Sequence, residues 1–330
     1  MTDQKYLIPI AELAELLNQP IDLLAKQVDS NECIALPGNK IGIPANVVRS
    51  VLKNVGVDYS PRIISFSNLK GGIGKTTSAI SVATRAMQYG FKTCIIDMDS
   101  QASASQSFGA EPEADEAIFY DVWQKPQEHV MPSLKKIRDN LYLLPSSLEN
   151  GLLDSALVSP ASQKNAVRAV CDVLKNNGFE AIIIDCPPSL GTAVISTICA
   201  SDTIVIPVCH DMFSFKGLKL TLAEISAIVE AFGLLKPSLR ILYTKYDRRL
   251  SLSETSAKKL MADFKEEFIP TPIRTNSIYA KALEKRETIF ASSNKHPAKI
   301  DYDLCFQHLF GWFHILNNKT DSIIHEVESA

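Results

Sequence analysis

The stretch FSNLKGGIGKTTSAI, Phe66 to Ile80, decides the fold. Gly74-Lys75-Thr76 fits the second half of the phosphate-loop pattern G-x-x-x-x-G-K-[ST]. The first glycine of that pattern falls on Leu69, and the next residue is a second lysine, Lys70. RIISF before the run reads as a buried strand, and KTTSAISVATRAM after it reads as a helix. A glycine-rich turn at a helix N-terminus offers backbone N–H groups and the positive end of the helix dipole to phosphate. Gly71, Gly72 and Gly74 let the backbone curl close to the anion, with Ile73 and Thr77 completing the loop. Lys75 is expected to reach the β- and γ-phosphates, and the Thr76 hydroxyl to hold Mg²⁺. A glycine turn that merely joins strand to helix leaves Lys75-Thr76 unexplained.

Outward from this loop the pattern from Pro61 onward is β/α. Short apolar runs recur: RIISF, KTCIIDMD, LYLLPS, AIIIDCPP, TIVIPV, LRILYT and FIPTPI. Between most of them lie segments long enough for a helix, such as SQKNAVRAVCDVLKNNG and LKLTLAEISAIVEAFG. Continuous apolar strands with helical crossovers predict an α/β fold, a mostly parallel twisted sheet with helices on both faces. Residues 110–137 are acidic and carry Pro112, Pro126 and Pro132, and read as a surface excursion.

Residues 1–60 read as a small helical extension to the phosphate-loop domain at 61–330. IAELAELLN and IDLLAKQV are short amphipathic helices split by Asn18-Gln19-Pro20. LPGNKIGIP reads as a loop, and ANVVRSVLKNVG as a third helix. Three short helices about a tight turn suit a helix-turn-helix module. The second helix carries only Lys26 as a cation, which is thin for a groove reader, so operator DNA reading stands beside dimerisation or docking.

Bulk properties exclude several classes. The formal net charge of −3 gives no overall attraction to a polyanion, so nucleic-acid binding needs a local patch. The seven cysteines are dispersed without a C-x-x-C pair, which suits reduced, buried thiols. No apolar run reaches the roughly 20 residues that cross a bilayer. A cytoplasmic location is expected.

Two further acidic positions stand where a phosphate loop needs them. AIIIDCPPSLG places Asp185 at the end of the most hydrophobic strand, where a carboxylate can hold the Mg²⁺ shell. KTCIIDMDSQASAS offers Asp97 and Asp99 after another buried strand. Asp97 lies nearer the sheet, where a structural role is open. Asp99, in the loop, is better placed to orient an attacking water.

KGGIGKTT, DMDSQASAS, IIIDCPPSLG, IPVCHDMFSFKGL and YDRRLSLS, in that order, resemble the ParA-type DNA-partition ATPases, a deviant Walker A group related to MinD. The resemblance covers about residues 61–295. It implies that Lys70 crosses a dimer interface to the nucleotide of the other subunit, so that two monomers sandwich two ATP molecules. It places Thr76, Asp99 and Asp185 at the magnesium site and Lys70, Lys75 and Asp99 in catalysis. Ser100 stands where the family usually has proline. The adenine end resembles Thr244 to Asp247, including Tyr246, and the loop 271–276, in which Arg274 replaces a frequent proline.

Arg248, Arg249, Lys281, Lys285 and Arg286 gather late in the chain. In the family the corresponding surface holds DNA non-specifically in the ATP-bound dimer. Glu284 and Glu287 beside them leave a merely solvated face as the other reading. Phe306, Leu309, Phe310, Phe313 and Leu316 recur at helical spacing in a segment without lysine or arginine, so a helix packed on the domain is expected rather than a membrane-surface helix.

These expectations combine into an ATP- and Mg²⁺-dependent ATPase that dimerises on ATP, is nucleoid-associated and is stimulated by a ParB-type centromere-binding protein. A MinD-like or other cargo-positioning ATPase is the first alternative. A small-molecule kinase or reductase on the same fold is the second, although the scattered thiols offer no obvious cluster-holding set.

Overall fold

The computed structural model describes residues 4–210 and 212–312. Its strands are β1 (Ile8–Pro9), β2 (Ile34–Leu36), β3 (Lys40–Ile43), β4 (Arg62–Phe66) and β5 (Thr93–Asp97). They continue as β6 (Lys135–Arg138), β7 (Leu141–Leu144), β8 (Ala181–Asp185), β9 (Thr203–Val208) and β10 (Ser238–Tyr243). The helices begin with α1 (Ile10–Leu16), α2 (Ile21–Gln27), α3 (Ala45–Asn54) and α4 (Lys75–Gln88). Short helices α5 (Ser103–Ser107), α6 (Phe119–Val122), α7 (Pro126–His129) and α8 (Leu153–Ala156) follow. The rest are α9 (Pro160–Asn176), α10 (Thr192–Ala200), α11 (Met212–Ala231), α12 (Ser251–Asp263), α13 (Ile278–Glu284) and α14 (Pro297–Leu309).

Seven strands form the main sheet in the order β10-β9-β4-β8-β5-β7-β6, all neighbours parallel except the edge pair β6–β7. The expected parallel sheet is therefore present. Each central strand is buried on both faces because its residues alternate between two cores. Ile64, Phe66, Ile95 and Ile183 face α4 and α14; Ile63, Ile96, Ile182 and Ile184 face α9 and α10.

At the edges the structure departs from the sequence reading. Lys135–Arg138 pairs antiparallel with β7, with a bulge between Lys136 and Arg138. FIPTPI does not form a strand; Phe268 and Arg274 make single bridges to Ile241 and Tyr246 beside β10. Segment 110–137 is more than a surface excursion, because Phe119, Val122 and Val130 are fully buried. The turn that buries them is closed by Asp121, whose carboxylate accepts from Ile118 N at 3.0 Å.

The first sixty residues contain the three expected helices and, in addition, a three-stranded sheet in the order β1-β3-β2. LPGNKIGIP is a hairpin. Three residues, Pro37 to Asn39, connect the paired Leu36 and Lys40, and Gly38 and Asn39 both have positive φ, 78° and 55°, which lets so short a connection reverse the chain. The resulting β2–β3 hairpin stands beside α1, which in turn packs on α2.

This module shares its core with the main sheet. Leu13, Leu24, Val48 and Leu52 join the cluster built on α4 and α14. Arg85 of α4, 1 % exposed, ties the layers together. Its guanidinium reaches Asp303 of α14 at 2.7 Å, Glu12 of α1 at 2.7 Å and the Tyr89 hydroxyl at 2.6 Å. Tyr59 donates to Tyr89 O at 2.7 Å, and Gln88 Nε2 donates to Tyr6 O at 2.8 Å. At Gly90 (φ 86°) a Cβ would stand 2.5 Å from Arg49 Cβ, so glycine is what lets α3 approach the end of α4.

Candidate nucleotide-binding site

β4 is central and the loop after it opens at the C-terminal ends of the parallel strands, between β8 and β9, where open α/β sheets bind ligands. Asn68 fixes the start of the loop: its Nδ2 donates to Pro207 O at 2.7 Å and its Oδ1 accepts from Lys70 N at 3.1 Å. Gly72 and Gly74 have φ of 69° and 89°, so the curl that turns the amides inward needs glycine at both. Within 4 Å of where Gly71 and Gly72 would carry Cβ atoms there is no protein. That is the open side a phosphate chain requires.

Lys75 begins α4 and is 6 % exposed, with Nζ donating to Lys70 O at 2.9 Å. Burial lowers its pKa, while Asp185 and Asp99 pull it back up. The ammonium is thus folded over its own loop, facing two carboxylates.

Asp185 ends β8 and is fully buried. Neither carboxylate oxygen has a hydrogen bond of ordinary geometry. Burial and the neighbouring Asp97 push its pKa well up, with Thr76 and Lys75 acting in the opposite direction. An orphaned buried carboxylate costs free energy unless something binds it. A divalent cation shared with the Thr76 hydroxyl answers that chemistry, so Asp185 and Thr76 fit a Mg²⁺ shell.

Asp97 and Asp99 divide as their positions suggest. Asp97 stands opposite Asp185 in register and is fully buried. Its carboxylate accepts from Ser105 N at 2.9 Å, Ser105 Oγ at 2.8 Å and Asp99 N at 3.2 Å. Burial outweighs these bonds and pushes its pKa up to about 6. Asp99 is 9 % exposed, and its carboxylate makes a short local bond with Gln101 N. Both aspartates are buried; the Asp97 carboxylate is held by three donors, that of Asp99 by Gln101 N alone.

Of the residues expected at the adenine end, Thr244 and Arg274 have side chains already committed to other partners. Thr244 is buried beneath the loop, its hydroxyl 2.8 Å from Ile73 O and 3.0 Å from Val208 O. It props the loop from below. The Arg274 side chain is committed to Asp301 of α14, with Nε 3.0 and 2.9 Å from the two carboxylate oxygens. Tyr246 N donates to Ile273 O, which brings the segments 244–247 and 271–276 side by side. Asp301 lies 27 positions from Arg274, and no local pattern announces the pair.

Ser105, Ser146 and Asn150 are buried polar residues around the Asp97–Asp99 loop that sequence reasoning passed over. The signal was present: polar residues directly after LYLLP, at the same strand-end edge as Asp97 and Asp185. A separate cavity of about 620 Å³ lies between α1 and α14, lined by Ile10, Leu16 and Leu304 among others, and shares no wall with the phosphate loop.

Arg248, Arg249, Lys281, Lys285 and Arg286 are all exposed. Arg249 pairs with Asp247 at 2.7 Å, and Arg286 lies 3.9 Å from Glu111. α13 ends at Glu284, so Lys281 is in its last turn and Lys285 is its C-cap. In the C-terminal segment Phe306, Leu309 and Phe310 are buried, as expected of a packed helix; Phe313 and Leu316 lie outside the described residues. Among the described residues no helix is long and apolar enough to cross a membrane.

A glycine loop, a buried lysine, a helix-start threonine and an orphaned strand-end carboxylate on this sheet define a P-loop nucleotide-binding protein. Residues 61–241 match the family described as AAA domain. The chain is 30% identical over 219 residues to the chromosome partitioning protein ParA of Caulobacter vibrioides, covering 65% of this chain and 81% of that one. It is 28% identical over 228 residues to the cell division protein PomZ of Myxococcus xanthus, covering 69% and 71%. The ATP complex of a Cyanothece McdA variant superposes with a TM-score of 0.66 at 20% identity, over 76% of this chain and 96% of that one. The chain belongs to the ParA-type P-loop ATPases.

Proposed function

We propose that this protein is a DNA-partition ATPase that hydrolyses ATP and cycles between a monomer and an ATP-sandwich dimer. The observation that carries the reading is the orphaned Asp185 carboxylate beside Thr76 and Lys75, with Lys70 ahead of the glycine run. Lys75 and the loop amides hold the phosphates. Asp185 and Thr76 hold Mg²⁺, which neutralises charge on the phosphate oxygens. Asp99 orients the attacking water. Lys70 reaches the nucleotide of a second copy, acting as an arginine finger does, a device worth about 10³-fold or more in rate.

The dimer binds DNA non-specifically through exposed Arg248, Lys281, Lys285 and neighbouring cations. Among the described residues these three make no ion pair, so they are available to phosphate. A ParB-type partner on a centromere-like site stimulates hydrolysis and releases the dimer, which places the protein on the nucleoid. The α1–α2 helix-turn-helix with its hairpin is a second DNA-facing element in this reading, for operator sites. ATPase rate measured alone, with DNA, and with DNA plus the product of a neighbouring ParB-like gene tests the proposal. Synergistic stimulation is expected, and a rate indifferent to both additions overturns it.

A second reading, positioning of a division site, takes its support from the likeness to PomZ. It shares the same site and differs in cargo. Stimulation by DNA with a division-complex protein in place of the ParB-like one distinguishes it.

A further inference from the structure

One continuous turn of chain joins the Asp99 loop to the loop that follows Asp185. Residues 146–154 leave the end of β7, pass through the 3-10 turn Leu148–Leu152 and enter α8. At the near end Ser146 Oγ donates to Asp99 O at 2.6 Å. Ser146 N donates at 3.0 Å to Ser105 Oγ, the same hydroxyl that holds the Asp97 carboxylate. Asn150 Nδ2 donates to Ser146 Oγ at 2.7 Å and lies 3.3 Å from Asp97 O. A Cβ on Gly151 would touch Ser100 at 3.7 Å.

At the far end Asp154 grips the start of α10. Its Oδ1 accepts from Thr192 Oγ1 at 3.1 Å and from Ala193 N at 3.3 Å. The Thr192 hydroxyl also stands 3.2 Å from Leu153 O. The approach is so close that a Cβ on Gly191 would fall 2.1 Å from Asp154 Oδ2. Between the two ends Asn150 and Leu153 are buried and anchor the turn, while Leu148 and Leu152 stand exposed on its outer side.

We propose that residues 146–154 form a hydrogen-bonded bracket coupling the Asp99 loop to the 187–192 loop, with Ser146, Asn150 and Asp154 as positioning residues. The purpose assigned to it rests on the reading of Asp99 and Asp185 as groups that meet phosphate and metal. None of the three is placed to touch nucleotide. When the Asp99 loop shifts on loss of the γ-phosphate, the shift reaches Gly191–Ala193 through this chain of hydrogen bonds, anchored at Asn150 and Leu153.

Hydrogen exchange on the full chain tests the bracket, first without nucleotide and then with a non-hydrolysable ATP analogue. The amides of Gln101 and Ala102 report on one loop, since they donate to Asp99. That of Ala193 reports on the other. Asp154→Ala is expected to speed exchange at Ala193 about fivefold, as loss of a capping carboxylate does, and to speed it at Gln101 and Ala102 as well. Asn150→Ala is expected to produce the reverse spread, and Asp154→Asn, which keeps the acceptor oxygen, to restore the wild-type pattern. Should Asp154→Ala unfold, Thr192→Val removes the hydroxyl contact alone and should reproduce the effect at Gln101 and Ala102 in weaker form. In turnover assays both alanine variants should lower kcat and leave KM for ATP within about twofold. Exchange changes confined to residues 191–195 would make Asp154 a helix cap and overturn the coupling. A wild-type protein whose exchange ignores nucleotide strikes the ATPase reading instead, and the nucleotide-free comparison still decides the bracket.

Discussion

Glu12 in the first helix and Arg85 in the helix that begins at the phosphate loop form an ion pair of 2.7 Å, with the guanidinium 1 % exposed. The N-terminal module is thereby tied by charge to the element that carries Lys75. The same guanidinium is held by Asp303 from a third element, so its charge is compensated from both sides. Lys299 adds a second cation 3.8 Å from Glu12.

Removing the guanidinium leaves Asp303 without its cation and Glu12 with only the more distant Lys299. Arg85→Ala should destabilise the fold by about 3–5 kcal/mol, the usual cost of breaking a buried pair. Glu12→Gln should cost less, about 1 kcal/mol, because Glu12 is partly open to water. Urea unfolding of the two variants checks the order. Equal and small losses would show that the network contributes little.

The same pair predicts a pH dependence. Burial raises the Glu12 pKa, but Arg85 and Lys299 outweigh it and hold the carboxyl below its usual value. A depressed folded pKa stabilises above the unfolded value of about 4.3 and is lost as pH falls through the folded one. Wild-type stability should therefore drop more steeply than that of Glu12→Gln below about pH 4.3. Urea midpoints over an acid series read this directly, and parallel curves would remove Glu12 from the acid transition.

Asp97 and Asp99 should separate stability from chemistry. Asp97→Ala strips three donors of a buried acceptor and should destabilise by about 1–3 kcal/mol. Asp99→Ala should fold and bind ATP normally but hydrolyse slowly, while Asp185→Ala loses Mg²⁺-dependent nucleotide binding. Thermal melts beside single-turnover hydrolysis distinguish them. Normal turnover in Asp99→Ala with a dead but stable Asp97→Ala would reverse the two assignments.

Lys70→Ala should retain nucleotide, because Lys75 and the loop amides remain, and lose ATP-dependent dimerisation and stimulated hydrolysis. Sedimentation with a non-hydrolysable analogue is the measurement. Dimers like those of the wild type with full stimulated activity would exclude a cross-subunit role.

DNA binding, for a chain of net charge −3, must come from gathered cations. Each neutralised phosphate adds about −0.9 to the log-log salt slope. Replacing Lys281, Lys285 and Arg286 with alanine should flatten that slope and spare basal ATPase, since none belongs to the phosphate site. Anisotropy of a random-sequence duplex across a salt series, with ATP and with ADP, checks it. Equal binding with either nucleotide would overturn the switch.

Much of the site was legible because its signals are local. Lys70 to Thr77 is one uninterrupted run, and Asp185 betrays itself as a charge closing four apolar residues. What escaped depends on partners far away in sequence or on backbone sign. Lys135–Arg138 has no apolar face of its own and becomes a strand only because β7 offers it an edge. The β2–β3 hairpin hides in Gly38-Asn39, whose positive φ values turn an apparent loop into a tight reversal. Arg274 looks available for the base until Asp301 arrives from α14. Lys26 remains the one cation of α2, and nothing in the folded module adds another to that helix.

The two margins of the main sheet carry a further consequence. On one side β6 runs antiparallel, bulged and studded with Lys135, Lys136 and Arg138; on the other, the bridges at Phe268 and Arg274 lie alongside β10 and its following loop. A bulge and clustered positive charge discourage a foreign strand from adding, and an overlying segment takes the place where one would pair. Growth by strand addition is thus blocked at both margins. The proposed ATP-sandwich dimer would therefore use the face where the strands end, and there association would be conditional on what lies in the loop.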